Sequence, residues 1–429
     1  MQIIKKEISL IDLFTITLSL IPLAFILGAF VAELFFNAST VLGILVLKRN
    51  KIKISKKVLY LFLIIFIYLF FSTFINKYYY HINNSLKIIF YFRFFLFFII
   101  VKEIFHLINT KFFFNIYFLT IFILAFDVIF QYLFAYNLIG LKLPSENRAS
   151  SFFGSEYISG SFIVKFFLPL SLFIFFFYFK KKIILFLILS FFAISIIFSG
   201  DKSAFLSLII ILILSSIIIE KKFFIIITFL ILISSIFFFS KANTRWNLIY
   251  NLFSISSNKE TIIRADDKNY IEVKNSGSPY QKIIYILDDS QHLPKFFTAY
   301  KLWKDNIFIG IGISGFRFNC ANVEMEGYKE EKCSTHPHNY YLEILSEAGL
   351  IGLFLFIFCI ILVFKSYFKK SVKLKKNLYS FLYKSFFINF LSFLLIITTG
   401  SFFNNANSIL FWLNLTLFFS LEKLLSYKQ

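Results

Sequence analysis

The feature that most constrains this chain is a series of apolar runs, each long enough to cross the hydrocarbon core of a bilayer, which is about 30 Å thick. Backbone N–H and C=O groups cannot remain unpaired in hydrocarbon, so runs of this length are expected to fold as helices. Composition agrees, since 59% of the residues are hydrophobic and only 16% are charged. The sequence therefore predicts an all-α, polytopic membrane protein with about twelve transmembrane helices. The predicted spans are residues 10–28, 30–47, 58–75, 86–104, 112–135, 160–179, 183–199, 203–219, 223–239, 342–364, 381–399 and 406–421.

The N-terminal spans are the least regular of the set. Glu33 and Asn37 shorten the apolar length of the second run, so the first two runs could instead form a tight hairpin. The first run follows Lys5 and Lys6 and lacks a small-residue exit, which indicates a retained signal-anchor instead of a cleaved signal peptide.

The net charge of +21 is explained by orientation in the membrane. A basic chain can indicate nucleic-acid binding, but here Lys and Arg concentrate in alternate connections, as the positive-inside rule expects of cytoplasmic loops. An even number of helices then places both termini in the cytoplasm. We therefore expect the lipid bilayer, and no nucleic acid, as the partner of the basic residues. The basic connections are residues 5–6, 48–57, 180–182, 221–222 and 365–376.

The same alternation predicts one long extracytoplasmic loop. The connection before the tenth span has about a hundred residues, and it is the only outside connection large enough to fold on its own. The predicted regions are membrane helices 1–9 at residues 1–239, an extracytoplasmic loop domain at 240–341, and membrane helices 10–12 at 342–429.

Cys320 and Cys333 both lie in this loop, where a disulfide is expected in an oxidising compartment, with two free thiols as the alternative. They lack the paired spacing of a zinc site.

Charged residues within the spans are expensive and mark candidate sites. Arg93 lies in the fourth span and Asp127 in the fifth, with Gln131 one turn further on. A buried Arg93–Asp127 pair that holds two helices together and a role in substrate binding are both open interpretations. Lys87 and Lys165 lie nearer the outside ends, where snorkelling to the surface is the expected explanation.

Cations from separate parts of the chain are predicted to reach the outer membrane surface. Lys202 stands out, because the short turn SGDKS places its charge at the membrane face. Several cations at such a surface would suit a lipid-linked phosphate or pyrophosphate. The candidates are Arg148 in SENRASS, Lys202, Arg245 in NTRWN, His292 in DDSQHLPKFF and Arg317 in GFRFNC.

The segment HPHNYYLEILSEAGLIG, residues 336–352, runs from a polar loop directly into an apolar helix. Pro337 disfavours helix before it and Asn339 is a good N-cap, so His338 is predicted to stand beside a helix N-terminus. The positive end of the helix dipole disfavours the imidazolium and favours the neutral ring that a general base requires. A purely structural histidine at the junction is the alternative, with His336 as a neighbour.

The pattern of His338, Asn339, Leu342 and Gly349 after a long outside loop resembles the signature of the O-antigen ligase and polymerase superfamily, integral-membrane glycosyltransferases of the GT-C type. The stretch TAYKLWKDNIFIGIGISGFRFNC, residues 298–320, and the turn SGDKSAFLS are similar to further blocks of that family. Asp305, Gly310, Gly312 and Phe316 are the matching positions of the longer stretch. The resemblance extends from about Arg148 to Gly352.

The resemblance implies glycan transfer on the periplasmic face of the bacterial inner membrane. A sugar chain on undecaprenyl pyrophosphate is moved to an acceptor hydroxyl, which is the lipid A core for a ligase and another lipid-linked repeat unit for a polymerase. The family is expected to work without a metal or other cofactor. By position His338 would be the base, the pyrophosphate would be held by Lys202, Arg245, Arg148 and His292, and Asn339, Arg317 and Glu343 would support the site.

Two positions depart from the family pattern, in which arginine is usual at both. Lys202 keeps the positive charge but loses the bidentate fork of a guanidinium. His292 is only partly charged near neutral pH. The pyrophosphate-binding role therefore depends on how far these side chains replace arginine.

Other classes of protein fit less well. A lipid-linked oligosaccharide flippase would also have many helices and buried charges, but short connections and repeat symmetry would be expected of it. The acidic pairs Asp266–Asp267 and Asp288–Asp289 could imitate a metal motif, yet paired acids in a loop are more often solvated surface. No P-loop or Rossmann fingerprint is present. The choice between ligase and polymerase, and the identity of sugar and acceptor, stay open.

Overall fold

A computed structural model of the chain describes residues 9–80, 87–144, 148–241, 292–323, 332–371, 377–395, 400–403 and 405–428. These residues are predominantly α-helical, and no β-strand occurs among them beyond one isolated bridge between Tyr136 and Lys142. The all-α prediction is confirmed. Arg245 and the acidic pairs between residues 266 and 289 lie outside the described residues.

Each of the twelve predicted apolar runs lies mainly on one or two helices of the structure. The helices are α1 (Leu10–Ser19), α2 (Ile21–Leu27), α3 (Ala29–Arg49), α4 (Lys56–Tyr80), α5 (Lys87–Ile104), α6 (Thr110–Phe134), α7 (Ser159–Val164), α8 (Phe167–Ile174, continued by a π-turn over Phe175–Phe179), α9 (Lys182–Phe198), α10 (Lys202–Ile218), α11 (Lys221–Lys241), α12 (Leu293–Asp305), α13 (Gly315–Asn319), α14 (Tyr340–Ser371), α15 (Leu378–Phe393) and α16 (Asn405–Lys428).

Several of these helices have the length and apolar composition of membrane spans. Within the described residues five qualify, namely α3, α4, α6, α14 and α16, or six if α1 and α2, bent by 47°, count as one broken span. The chain is therefore a multi-pass membrane protein, whereas the number of twelve crossings and the long outside loop stay predictions.

Helix α5 lies within an aromatic core and packs against α3, α4 and α16. The Tyr91 hydroxyl donates to the carbonyl oxygen of Phe402 at 3.1 Å and accepts from Trp412 Nε1 at 3.2 Å. The Trp412 ring in turn packs edge-on against Phe95. The abundant Phe residues are thus used to fill the contacts between helices, where large rings bury apolar area with little loss of rotamer freedom.

The predicted Arg93–Asp127 pair is wrong. Because α5 packs against α3, Arg93 Nη2 lies 3.4 Å from Glu33 Oε1 instead. Asp127 is directed at the following loop, where it accepts hydrogen bonds from the Leu138 N–H at 2.7 Å and from the Ser151 hydroxyl. Asp127 therefore fixes the connection that follows α6 and does not bind a helix neighbour.

Helix α14 is broken at Gly349, whose φ of 65° and ψ of −169° are not helical. A Cβ at this position would lie 2.2 Å from the carbonyl oxygen of Phe308, so only glycine fits. The residues from Ile307 to Gly312, the 307–312 segment, run beside the break. The Leu350 N–H donates to the Ile307 oxygen, and the Gly312 N–H donates to the Glu347 oxygen, each at 2.9 Å.

The opposite side of the 307–312 segment is held by α4. The Ser72 hydroxyl donates to the Ile309 oxygen at 2.6 Å, and Asn76 Nδ2 donates to the Gly310 oxygen at 3.0 Å. Irregular backbone packed against a helix bundle is tolerated when protein groups satisfy its polar atoms, as they do here. The segment therefore joins the residues before α14 firmly to the helix bundle.

Candidate active site

Three histidine rings meet at the start of α14. The ring centre of His338 lies 4.2 Å from that of His336 and 4.9 Å from that of His292, which immediately precedes α12. We call these three residues the histidine corner. The sequence pattern grouped His292 with the cations, but the structure brings its ring to the predicted base.

The backbone around His338 is fixed by the helix cap. Asn339 Oδ1 accepts from the N–H groups of Tyr341 at 3.0 Å and Leu342 at 3.1 Å, so the predicted N-cap is confirmed. His338 itself has a φ of 58°, in the left-handed region that residues with a Cβ seldom occupy. Such strained conformations are concentrated at functional sites, where the surrounding structure enforces them.

His336 is buried and hydrogen-bonded within its own loop. Its Nδ1 lies 2.9 Å from the Thr335 hydroxyl, and the Ser334 hydroxyl donates to its carbonyl oxygen. These contacts orient the ring that packs against His338. His336 is therefore suited to hold His338 in place.

Burial lowers the pKa of His292 below its ordinary value, and the positive charge of Lys295 acts in the same direction. Both effects favour the neutral form of the ring. Its buried Nδ1 has no hydrogen-bond partner within the part of the chain that the structure describes. His292 thus lies beside the predicted base, while its role in pyrophosphate binding stays a prediction. Among the described residues, no group of three or more His, Cys, Asp or Glu is arranged to hold a metal ion.

A small apolar cluster and a disulfide support the loop that carries His336 and His338. Cys320 and Cys333 are joined, with Cα atoms 5.3 Å apart. Cys320 also packs with Leu302 and Phe316 in a second core, separate from that of the helix bundle. The disulfide therefore ties the end of α13 to the residues that lead into the histidine corner.

Two buried glutamates secure the outer part of α14 from two directions. Glu343 accepts from the Ser401 hydroxyl at 2.5 Å and from the Phe402 N–H at 2.6 Å, which fixes α14 to the connection before α16. Glu347 accepts from the N–H groups of Ser314 at 2.7 Å and Phe316 at 3.2 Å, which fixes it to the start of α13. Sequence reasoning missed Glu347, although its position one turn after Glu343 in an apolar helix was a usable signal.

The predicted cations Arg148 and Lys202 lie at one end of the helix bundle, and we call these two residues the cation corner. Lys202 is exposed at the first position of α10, directly after Asp201, whose Oδ1 caps the helix by accepting from the Ser203 N–H at 3.0 Å. Arg148 reaches the same end of the bundle, because the N–H of the next residue, Ala149, donates to the Phe198 oxygen at the end of α9 at 3.2 Å. Its guanidinium carbon lies 3.9 Å from the Tyr157 ring centre.

Close packing fixes the turn that presents Lys202. A Cβ at Gly160 would lie 2.1 Å from the Ser199 hydroxyl, so the start of α7 and the turn between α9 and α10 touch. The Ser161 hydroxyl donates to Asp201 on the same face. The short turn therefore has little freedom to move Lys202.

Arg317 lies on α13, close to Lys87, whose Nζ is 5.8 Å from the ring centre of Phe318. Both residues are next to the helix end that Glu347 caps. The structure therefore groups Arg317 with the supports of the histidine corner and not with Arg148 and Lys202.

Part of the chain matches a known protein family. Residues 184–357 match the family model described as O-antigen ligase, and this region includes Lys202, the histidine corner and Gly349, while Arg148 precedes it. No curated protein sequence matches the chain. The match agrees with the resemblance inferred from the sequence: through residues 184–357 the chain is similar to the O-antigen ligase family.

Proposed function

We propose that this protein transfers a glycan from undecaprenyl pyrophosphate to an acceptor hydroxyl, as an O-antigen ligase does with the lipid A core. The observation that carries the proposal is His338 itself. It is held in a left-handed conformation at the capped start of α14, against two further histidine rings, within the region that matches the family.

In the proposed reaction His338 begins as a neutral ring and takes the proton of the acceptor hydroxyl. The acceptor oxygen attacks the anomeric carbon of the donor sugar, while the bond from that carbon to the phosphate oxygen breaks. The electron pair leaves with the carrier pyrophosphate. His338 ends as an imidazolium, which the neutral His292 ring can adjoin without charge repulsion.

The leaving group requires positive charge, which we assign to Lys202, Arg148 and Arg245. Pyrophosphate is already activated for departure, so a base and a set of cations are sufficient and no metal is required. Within this scheme Asn339 supports the base by capping α14, and Glu343 does so by fixing α14 to the residues before α16.

We further infer twelve membrane crossings with both termini in the cytoplasm and residues 240–341 in the periplasm of a bacterial inner membrane. Support comes from α14, which starts beside His338 and ends in the basic pair Lys369 and Lys370. To test this, cysteines are introduced at the exposed positions Lys301 and Lys369 and labelled in intact cells with an impermeant maleimide. Labelling of Lys301→Cys alone supports the topology, and protection at that position contradicts it.

The function is tested by deleting the gene and examining the surface glycans. Loss of all long chains from the core supports a ligase, whereas single-repeat glycans on the core support a polymerase. The deletion strain is then complemented with wild type, His338→Ala and His106→Ala. His106 is a matched control, since its ring stacks on Tyr427 at 4.5 Å in the connection between α5 and α6.

We expect His338→Ala to lower transfer by a factor of about 10² to 10⁴, the usual contribution of a general base, with normal amounts of protein in the membrane. His106→Ala should restore the glycans. Full activity of His338→Ala would show that His338 is not the base.

A further inference from the structure

A lysine outside the predicted site lies within the helix bundle, below the cation corner. Lys165 follows α7 at the point where the helix is interrupted before α8. At 1.5 Å per residue its backbone lies about 9 Å along the helix from Ser159, away from the outer end. Its carbonyl oxygen accepts a hydrogen bond from Asn389 Nδ2 of α15 at 2.5 Å. Snorkelling to the surface was expected, but the side chain turns to α15.

The ammonium of Lys165 has an aromatic neighbour. Its Nζ lies 4.9 Å from the ring centre of Phe393 on α15. Asp201 acts on it electrostatically, but the carboxylate oxygens of Asp201 are engaged by the start of α10 and by Ser161. Among the described residues, no carboxylate oxygen lies within 4.0 Å of this Nζ. A charge in such surroundings is costly unless a ligand neutralises it.

The position of Lys165 connects the two corners of the site. On one side the charge of Asp201, the residue before Lys202, acts on it electrostatically. On the other side the residue after Phe393 is Leu394, whose carbonyl oxygen accepts from the Tyr341 hydroxyl at 2.6 Å, in the first turn of α14. Lys165 therefore lies between the cations and the helix start that carries His338.

We infer that Lys165 binds a phosphate group of the lipid-linked donor, on the membrane side of the cation corner. The inference rests on the proposed function, because it assumes a donor with a pyrophosphate. An ammonium can donate three hydrogen bonds to phosphate oxygens, and such charge-assisted bonds are strengthened where water is scarce. Phe393 holds the amine without cancelling its charge, so the positive charge is retained for the ligand.

The test measures lipid binding to the purified full-length protein in nanodiscs. Undecaprenyl pyrophosphate and undecaprenol share the same tail, so the ratio of their dissociation constants measures the contribution of the pyrophosphate to binding. We expect wild type to prefer undecaprenyl pyrophosphate and Lys165→Met to lose about tenfold or more of this preference. Lys165→Arg keeps the charge and should keep most of the preference. Undecaprenol should bind all three proteins equally.

Lys111 provides a matched control. Its Nζ also lies 4.9 Å from a phenyl ring centre, that of Phe177, but it belongs to the first turn of α6, away from both corners. Lys111→Met should leave the preference for the pyrophosphate unchanged. An equal loss in both variants would show a general effect of surface charge and overturn the inference.

Four other outcomes would contradict the role of Lys165. If wild type prefers undecaprenyl pyrophosphate and Lys165→Met does so equally, the role of Lys165 is wrong and the proposed function stands. If wild type does not distinguish the two lipids, both fail. If Lys165→Met instead loses binding of lipid A, a phosphorylated glycolipid, the lysine serves the acceptor. A lower melting temperature with equal loss of both carrier lipids would make Lys165 structural.

Discussion

The two corners of the candidate site are built in different ways. In the cation corner, Lys202 is placed by a turn whose supports, Asp201 and Gly160, are near it in sequence or in the adjoining helix. In the histidine corner, rings from either end of a loop meet, and a disulfide and a broken helix hold them. Under the proposed roles, positive charge for a leaving group requires only a rigid turn, whereas an oriented base requires a framework assembled from distant segments.

Two glycines test this difference: Gly349 at the break of α14, and Gly154, which ends the short 3₁₀ turn Ser151–Phe153 after Arg148. Gly349 and Gly154 have similar positive φ values, 65° and 62°, but only at Gly349 would a Cβ overlap other backbone. We expect Gly349→Ala to lower the free energy of unfolding by at least about 3 kcal/mol and to abolish transfer. Gly154→Ala should cost about 1 to 2 kcal/mol, from its backbone conformation alone. Thermal unfolding in detergent measures both, and equal losses would contradict the proposed dependence on the framework.

The disulfide is the second support of the histidine corner. Cys320→Ser with Cys333→Ser opens a loop of 13 residues, which we expect to lower stability by about 3 kcal/mol or less. Transfer should fall, because the residues leading to His336 and His338 lose their anchor. Binding of undecaprenyl pyrophosphate should persist, since the cation corner does not depend on this bond. Cys359→Ser, within α14, is the control and should preserve transfer. If the double variant lost donor binding together with transfer, the proposed independence of the two corners would be refuted.

Substitutions of Lys202 test the cation corner without disturbing the fold. The side chain is exposed, so Lys202→Met should leave the melting temperature within error while weakening binding of undecaprenyl pyrophosphate by about tenfold. Lys202→Arg should bind as well as wild type or better, because a guanidinium can form two parallel hydrogen bonds with phosphate. Lys182→Met, at a surface pair with Glu220, serves as the control. Unchanged donor binding in Lys202→Met would remove Lys202 from the site.

The smallest expected effect is on pH dependence. Because the pKa of His292 is lowered in the folded protein, the unfolded chain takes up a proton near pH 6.5 while the folded chain does so only at lower pH. The contribution of His292 to stability is therefore present above pH 6.5 and declines as the pH falls from that value through the folded pKa. His292→Phe should reduce this decline, whereas Lys202→Met should not. Identical acid profiles for wild type and His292→Phe would contradict the assigned burial effect.

The sequence predicted those structural features that depend on residues close together along the chain. Apolar runs located the helices, and Asn339 was recognised as an N-cap from its neighbours alone. The pairing of Arg93 with Asp127 failed, because helix adjacency is set by packing across the bundle and leaves no local signal. The meeting of His292 with His338 was missed for the same reason, since the rings approach only after α12 and α14 have packed together.

The break at Gly349 also lies between the histidine corner and the longest apolar part of α14. Continuous spanning helices respond to membrane thickness by tilting, which displaces their ends. In α14 the turns before Gly349 are fixed by Ser314, Phe316 and Phe402, whereas the turns after it include the lipid-length apolar run. We expect tilting of the length after the break to displace the histidine corner less than it would in a continuous helix. Under the role proposed for His338, the geometry of the base would then depend less on the hydrophobic thickness of the membrane.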